Sequence, residues 1–147
     1  MKKKSEIKRV VFSKRVGWII LIFLVVLDAS LDVIFAHGSG LESAIWKPIS
    51  DFLGVSNPLF LTPLVLILFY FVVKGGSWLM KKEDKIQANA EELVLTTLVI
   101  IYSVFDLWLI SVYLFDFNLF PNHFYLIPIL IIIGIIYNWW AEKKLKN

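Results

Sequence analysis

Cysteine is absent from this chain of 147 residues, and histidine occurs only twice. Without cysteine, the protein has no disulfides, thiolate nucleophiles, iron–sulfur clusters or cysteine-ligated zinc sites. His37 and His123 are the one histidine pair that could ligate a haem, and both fall between long apolar runs, which argues against haem electron transport. We therefore expect no cofactor.

Charged residues are also scarce, at 18%, whereas 59% of the residues are hydrophobic. Soluble proteins average about 25% charged and about 45 to 50% apolar residues. The apolar residues gather in four runs, each roughly long enough for a helix to cross ~30 Å of hydrocarbon at 1.5 Å per residue. The sequence therefore predicts an all-α, polytopic membrane protein with four transmembrane helices as two hairpins. The predicted spans are 16–36, 59–79, 93–115 and 124–140.

The basic residues set the predicted orientation. Fourteen of the fifteen lysines and arginines flank the same ends of the spans, and Lys47 alone lies on the other side. By the positive-inside rule, both termini are cytoplasmic, which predicts a multi-pass protein of the cell (inner) membrane. We expect a basic arm over 1–15, one transmembrane domain over 16–140 and a basic tail over 141–147. We expect the lipid bilayer as the partner. Membrane orientation accounts for the basic residues, so we expect no nucleic-acid binding.

Three aspartates, Asp28, Asp32 and Asp106, lie within the apolar runs. A carboxylate near the bilayer centre costs about 2.5 to 3.5 kcal/mol on insertion scales, so each needs a partner, water, a proton or a function. Asp28 lies 12 residues into its span and Asp106 lies 13. At 1.5 Å per residue both are at roughly 18 to 20 Å of depth. We predict that they form a proton- or cation-binding pair, with Asp32 one turn nearer the outer surface.

Other polar residues accompany the aspartates on both spans. Their spacings place each set on one helical face, and we expect the two faces to meet. The alternative is that the aspartates only hydrogen-bond between helices and hold them together. The predicted supporting residues are Tyr102, Ser103 and Tyr113 on the third span, and His37 and Glu42 on a polar path beyond the first.

The outer loop, 37–58, has an amphipathic pattern. Ser39 and Glu42 have the spacing of a capping box, and a helical stripe of apolar residues continues to Gly54. Pro48 is expected to interrupt this segment. We predict a helix at the outer membrane interface, with a lid over the aspartates as the alternative.

The two halves of the sequence present the same order of features. Each has a span with an aspartate, an outer loop, prolines, a long apolar run, a tryptophan and a lysine pair. A duplication would relate the halves by an axis along the membrane normal. A chance match is the alternative, because any four-span protein has basic residues at span ends and prolines at helix starts.

The first half also contains a family signature. Asp28-Ala-Ser-Leu-Asp32, a glycine-rich turn, Glu42, a proline and Asn57-Pro58 resemble the opening hairpin of small prokaryotic membrane proteins of unknown function. Those proteins have Asp-x-x-x-Thr in the first span and Glu-x-Asn-Pro after it. The resemblance covers Val16 to Leu79, with Asp32 in place of threonine and Ser-Ala after Glu42. The resemblance singles out Asp28 and Glu42 as residues of interest. It implies no particular activity.

These features support three functional hypotheses. The leading one is a small proton- or cation-coupled transporter-like or channel-like protein that uses Asp28 and Asp106. Because four short helices rarely enclose a path alone, a homo-oligomer or a membrane partner subunit is implied. The alternative is a non-catalytic scaffold or accessory subunit whose aspartates pair with a cation on another protein's helix. A metal-dependent intramembrane enzyme is third, since carboxylates suit hard cations but no dense ligand motif is present.

Overall fold

The computed structural model describes residues 10–83, 89–120 and 123–146, and within them the chain is helical without any strand. The α-helices are α1 (Lys14–Phe35), α2 (Trp46–Leu53), α3 (Thr62–Lys82), α4 (Ala90–Phe115) and α5 (Leu126–Lys146). Short 3-10 segments precede α2, α3 and α5, at Ser39–Glu42, Pro58–Leu61 and His123–Tyr125.

Within the described ranges, four helices are long and apolar enough to cross a membrane, which confirms the predicted all-α class and the predicted number of long apolar helices. Helices α1 and α4 begin and end within three residues of their predicted bounds. Helix α5 instead continues from the predicted end at 140 to Lys146, because no glycine or proline follows Trp140 to stop it. Residues 1–9 of the predicted basic arm lie outside the described residues.

Helix α4 is the centre of the helix packing, and α1, α3 and α5 all pack against it. Two of these contacts are close because a glycine replaces a side chain. A Cβ on Gly17 of α1 would lie 2.6 Å from Leu95, and a Cβ on Gly134 of α5 would lie 2.8 Å from Ile101. Small residues let membrane helices approach closely, since van der Waals contact rather than water exclusion drives their association. Helix α4 accordingly has the largest buried share of the four long helices.

Helices α1 and α4 run side by side in the same direction. At one end Lys14 pairs with Glu91 at 3.0 Å, and at the other the rings of Phe35 and Tyr113 stack with centroids 5.7 Å apart. The residues between them alternate at spacings of three and four, the heptad spacing of coiled coils. We call this contact the α1–α4 seam. Its residues are Leu21, Leu24, Asp28, Leu31 and Phe35 of α1, and Leu95, Val99, Tyr102, Asp106, Leu109 and Tyr113 of α4.

The helix packing lacks the symmetry that a duplication predicts. In a twofold arrangement, α3 would meet α4 as α5 meets α1. Instead α3 packs on both α1 and α4, whereas α5 packs on α4 without a comparable contact to α1 among the described residues. The repeated order of sequence features is therefore not matched by the positions of the helices.

The helix ends that carry the lysines lie together, and we call this the basic end. Glu91 of α4 pairs with Lys14 of α1 at 3.0 Å and with Lys74 of α3 at 2.9 Å, so one carboxylate links three helices. The chain before α1 reaches α5, where the Tyr137 hydroxyl donates to the Val10 carbonyl at 2.7 Å. These contacts fix the relative levels of the helices. The opposite end, with α2 and the 3-10 turns, is the loop end.

Ser39 and Glu42 do not form the predicted capping box. They bound a 3-10 turn, and the Glu42 carboxylate pairs with Lys47 at 3.1 Å. The N-cap of α2 is Ile45, which makes no side-chain cap, and the Ser43 hydroxyl accepts a hydrogen bond from the Trp46 amide at 3.3 Å. A serine four residues later than expected thus binds the first amide of the helix.

Helix α2 is a single short helix, and the predicted interruption at Pro48 is wrong. Pro48 lies in the first turn, where a helix does not need its amide donor. The helix ends at Gly54, which adopts the left-handed conformation with φ of +65° that favours glycine. The predicted stripe is therefore helical only over Trp46–Leu53, because Leu41 lies in the preceding 3-10 turn and Ser43 is extended between the two segments.

Candidate functional site

The centre of the site is a hydrogen bond across the α1–α4 seam. The Tyr102 hydroxyl donates to Asp28 Oδ2 at 2.8 Å. The Tyr102 ring is held in place by Phe69 of α3, which meets it edge-on at 5.5 Å between centroids and an interplanar angle of 85°. Three helices thus position the phenol that contacts Asp28.

Asp106 lies one helical turn beyond Tyr102 on the same face of α4, and its side chain is only 2% exposed. Neither of its carboxylate oxygens has a hydrogen-bond partner among the described residues. Ser103, which the sequence predicts as a supporting residue, donates back to the Val99 carbonyl of its own helix at 2.7 Å. Because buried polar groups nearly always have a partner, an unpartnered carboxyl is a feature that requires explanation.

Asp28 and Asp106 lie at the same level of the bundle. Counted from the ion pair between Lys14 and Glu91, Asp28 is 14 residues along α1 and Asp106 is 15 residues along α4. Asp28 binds Tyr102, and Asp106 follows one turn later on the same face of α4, so the two carboxylates are neighbours in the α1–α4 seam. Like charges in a low-dielectric interior repel one another strongly.

Asp32 has a different environment, at the loop end of α1. Its carboxylate accepts hydrogen bonds from the Gly40 amide at 3.1 and 3.3 Å, which ties the 3-10 turn to the helix. A Cβ on Gly40 would lie 2.8 Å from Asp32 Oδ2, so only glycine fits this position without a shift. Asp32 therefore holds a turn, and it is not paired with Asp28 or Asp106 by any hydrogen bond described here.

The two predicted residues of the polar path lie in the loop-end connection. His37 is exposed, has φ of +53° in the turn after α1, and lines a surface hollow with Ser56 and Asn57. Glu42 pairs with Lys47, and this hydrogen bond, together with the Asp51 carboxylate, raises the pKa of the Lys47 ammonium. The structure does not join these groups to the carboxyl pair.

Tyr113 takes part in the seam through its ring. The ring lies parallel to that of Phe35, with an interplanar angle of 9°, two turns beyond the carboxyl pair. Because it follows Asp106 by seven residues on α4, Tyr113 lies on the loop-end side of the site.

The described residues contain no group of three or more carboxylate or histidine side chains that converge as metal ligands. The metal hypothesis required Asp28, Asp32 and Asp106 to meet with Glu42 or His37. Instead the carboxylates divide between the seam, the Gly40 turn and the Lys47 ion pair.

Four further residues shape the site and were not predicted from the sequence. Phe69 packs on Tyr102. Leu31 and Leu109, which are buried, and Phe35 continue the seam toward the loop end. Both helices have the heptad spacing from which the seam residues could in principle be predicted. Because many other residues of these helices are also apolar, the sequence does not distinguish the seam from the remaining helix surface.

Comparison of the chain with models of protein families, with curated proteins and with solved structures found no match. The resemblance of Val16 to Leu79 to small prokaryotic membrane proteins stays a prediction, and the site is interpreted from its own geometry.

Proposed function

We propose that this protein is an integral protein of the cell membrane that uses the carboxyls of Asp28 and Asp106 to bind a proton or a small cation, in a transporter-like or channel-like assembly. A single observation supports this proposal above the others. Asp106 is buried without a hydrogen-bond partner among the described residues, beside a second carboxylate that does have one. Such an arrangement gains most from an added positive charge, because the added charge relieves both burial and repulsion.

Tyr102 gives the two carboxyls different roles. A hydroxyl that donates to Asp28 stabilises its ionised form, whereas Asp106 receives no such donor from the described residues. Asp106 is therefore the group that takes up the proton, and Asp28 supplies the neighbouring negative charge. A small cation would take the same place between the carboxylate oxygens.

We further propose that both termini are cytoplasmic, that the spans form two hairpins and that the chain works as a homo-oligomer. Fourteen of the fifteen basic residues flank the same span ends, which the positive-inside rule assigns to the cytoplasm. The proposed oligomer is supported by the seam, because its leucine and valine packing among the described residues leaves no wide path through one copy.

Proton flux into liposomes tests the proposal. The purified protein is reconstituted around a pH-sensitive dye, a potassium diffusion potential is imposed, and proton entry is recorded. We expect Asp106→Asn and Asp28→Asn to reduce the flux to the level of protein-free liposomes, because the first variant cannot take up the proton and the second lacks the neighbouring negative charge. Asp51→Asn, the same substitution on the exposed surface of α2, is the matched control and keeps the wild-type flux.

Two variants separate proton binding from simple helix attachment. Asp28→Asn retains an oxygen that accepts from Tyr102, whereas Tyr102→Phe removes the hydrogen bond and retains both carboxyls. If the pair only holds helices together, Asp28→Asn will behave as wild type and Tyr102→Phe will lower the stability. Equal flux through wild type and Asp28→Asn would therefore remove proton coupling.

The accessory-subunit alternative has support from the geometry at one aspartate only. Asp28 is partly exposed and could meet a cationic residue on another protein's helix, whereas Asp106 is only 2% exposed within this chain. An intramembrane enzyme is supported still less, because the metal ligands that it requires do not converge among the described residues.

A further inference from the structure

The seam is thin between the carboxyl pair and the loop end. Only two layers of side chains follow the pair in this direction. Leu31 and Leu109 lie three residues beyond the two aspartates, on the same helical faces, and both are buried. Phe35 and Tyr113 lie seven residues beyond, and their stacked rings form the last layer.

The seam is thicker and denser toward the basic end. Residues on both helices are almost completely buried there, and the backbones approach closely where Gly17 meets Leu95. A Cβ added to Gly17 would lie only 2.6 Å from Leu95 Cδ2, so no water fits at that point. The buried layers in this direction are formed by Leu24, Leu21 and Gly17 of α1 with Val99 and Leu95 of α4.

Polar groups lie beside and beyond the ring stack. The Asp32 carboxylate, three residues before Phe35 on α1, binds the Gly40 amide of the loop-end turn, and His37 is exposed in the turn after Phe35. Phe35 is the last residue of α1, so its side chain adjoins a turn in which His37 has a positive φ rather than a continuing helix. The stacked rings thus separate a polar surface from the apolar part of the seam.

We propose that the carboxyl pair is reached from the loop end, and that the stacked rings of Phe35 and Tyr113 close this route. The inference rests on the proposed function of Asp28 and Asp106, and it names the side from which they exchange protons. Rotation of the Phe35 side chain away from Tyr113 leaves only the Leu31 and Leu109 layer between the pair and the polar surface.

Cysteine accessibility tests the route without any transport measurement, and the cysteine-free chain has no background reactivity. Leu31→Cys places a thiol directly behind the ring stack. In liposomes, we expect an impermeant cationic methanethiosulfonate to modify it slowly in the otherwise wild-type chain. Phe35→Ala should raise the rate about tenfold, as expected when a stacked aromatic pair is lost.

The controls separate an opened route from a loosened protein. Ile34→Ala removes an exposed side chain next to Phe35 and should leave the Leu31→Cys rate unchanged. Leu21→Cys, on the basic-end side of the pair, should stay unreactive when Phe35→Ala is present. If Phe35→Ala fails to fold, Phe35→Leu retains apolar volume without the ring and should raise the rate likewise. The same rate for the Phe35 and Ile34 variants overturns the proposal.

The labelling experiment tests the route separately from the proposed function. Faster labelling in Phe35→Ala together with unchanged proton flux in Asp106→Asn supports the route and removes the proton-binding role. Loss of flux in Asp106→Asn together with unchanged labelling in Phe35→Ala supports the proposed function and contradicts closure of the route by the stacked rings.

Discussion

At the scale of single residues, Asp106 is the side chain that the fold accommodates least well. It occupies a seam position between Tyr102 and Leu109, and the other seam positions of α4 hold apolar or aromatic residues. It is buried, and no described residue offers its oxygens a hydrogen bond. Burying an unsatisfied polar group typically costs about 1 to 3 kcal/mol, and more when it is charged. Sites where a residue conflicts with its fold in this way are often functional, which makes Asp106 a candidate functional residue.

This cost leads to a prediction about stability. Asp106→Leu should raise the unfolding temperature in detergent, because leucine suits a seam position and leaves no polar atom unpaired. The expected gain is about 1 to 3 kcal/mol, the cost of the unsatisfied group. The same variant should lose proton flux. A thermal melt of the purified protein measures the first effect.

Asp28→Leu is the matched comparison, and it should lower the unfolding temperature rather than raise it. It removes the acceptor of the Tyr102 hydroxyl and leaves that hydroxyl buried without a partner. A drop in stability for Asp106→Leu, similar to that of Asp28→Leu, would indicate that Asp106 has a structural partner and would contradict our interpretation.

At the scale of secondary-structure elements, α2 exposes an apolar face. Phe52 is 88% exposed and Ile45, just before the helix, is 69% exposed. Lys47 and Asp51 pair with each other on the same helix at 3.8 Å. The 3-10 turn before α2 is bound to Asp32, so α2 is held beside the end of α1. An amphipathic helix in that position fits the predicted role of a helix at the membrane interface.

Site-specific fluorescence tests this role of α2. Phe52→Cys labelled with an environment-sensitive fluorophore should show a blue-shifted emission in liposomes, because the apolar face enters the headgroup region. Asp51→Cys, one residue away on the charged face, should show the emission of a water-exposed probe. Identical spectra for the two positions would mean that α2 stands clear of the lipid.

At the scale of the whole molecule, orientation across the membrane is open to a direct test. Lys144 is exposed at the basic end and Asp51 is exposed at the loop end. We expect an impermeant maleimide to label Asp51→Cys in intact spheroplasts and Lys144→Cys only in inverted vesicles, because basic residues stay in the cytoplasm. The reverse labelling pattern would overturn the prediction that both termini are cytoplasmic.

Most of the fold could be predicted from the sequence because long apolar runs admit few alternatives in a membrane. The four long helices follow from such runs, and Gly54 stops α2 as expected. The predictions that were wrong concern details that depend on tertiary contacts or on the absence of residues that end a helix. Ser39 and Glu42 have the spacing of a cap, but Asp32 binds the turn between them, and nothing in the tail halts α5 before Lys146.

The site was predicted only in part. The equal levels of Asp28 and Asp106 follow from counting residues, because both helices start at the same end of the bundle. The partner of Asp28 could not be chosen, because Tyr102 and Ser103 are adjacent and both can hydrogen-bond. Rotation of α4 about its axis decides the choice, and the contacts with Gly17 and Gly134 set that rotation.

The hydrogen bond from Tyr102 to Asp28 also has a consequence for the order of synthesis. Its two residues are 74 positions apart, and α4 is made after α1, α2 and α3. At about 5 to 20 residues per second, Asp28 leaves the ribosome about 4 to 15 s before the phenol that binds it. During that interval the first helix carries its carboxyl without Tyr102. A nascent chain halted after α3 therefore has an unburied acid in its first span, which distinguishes it from the finished protein.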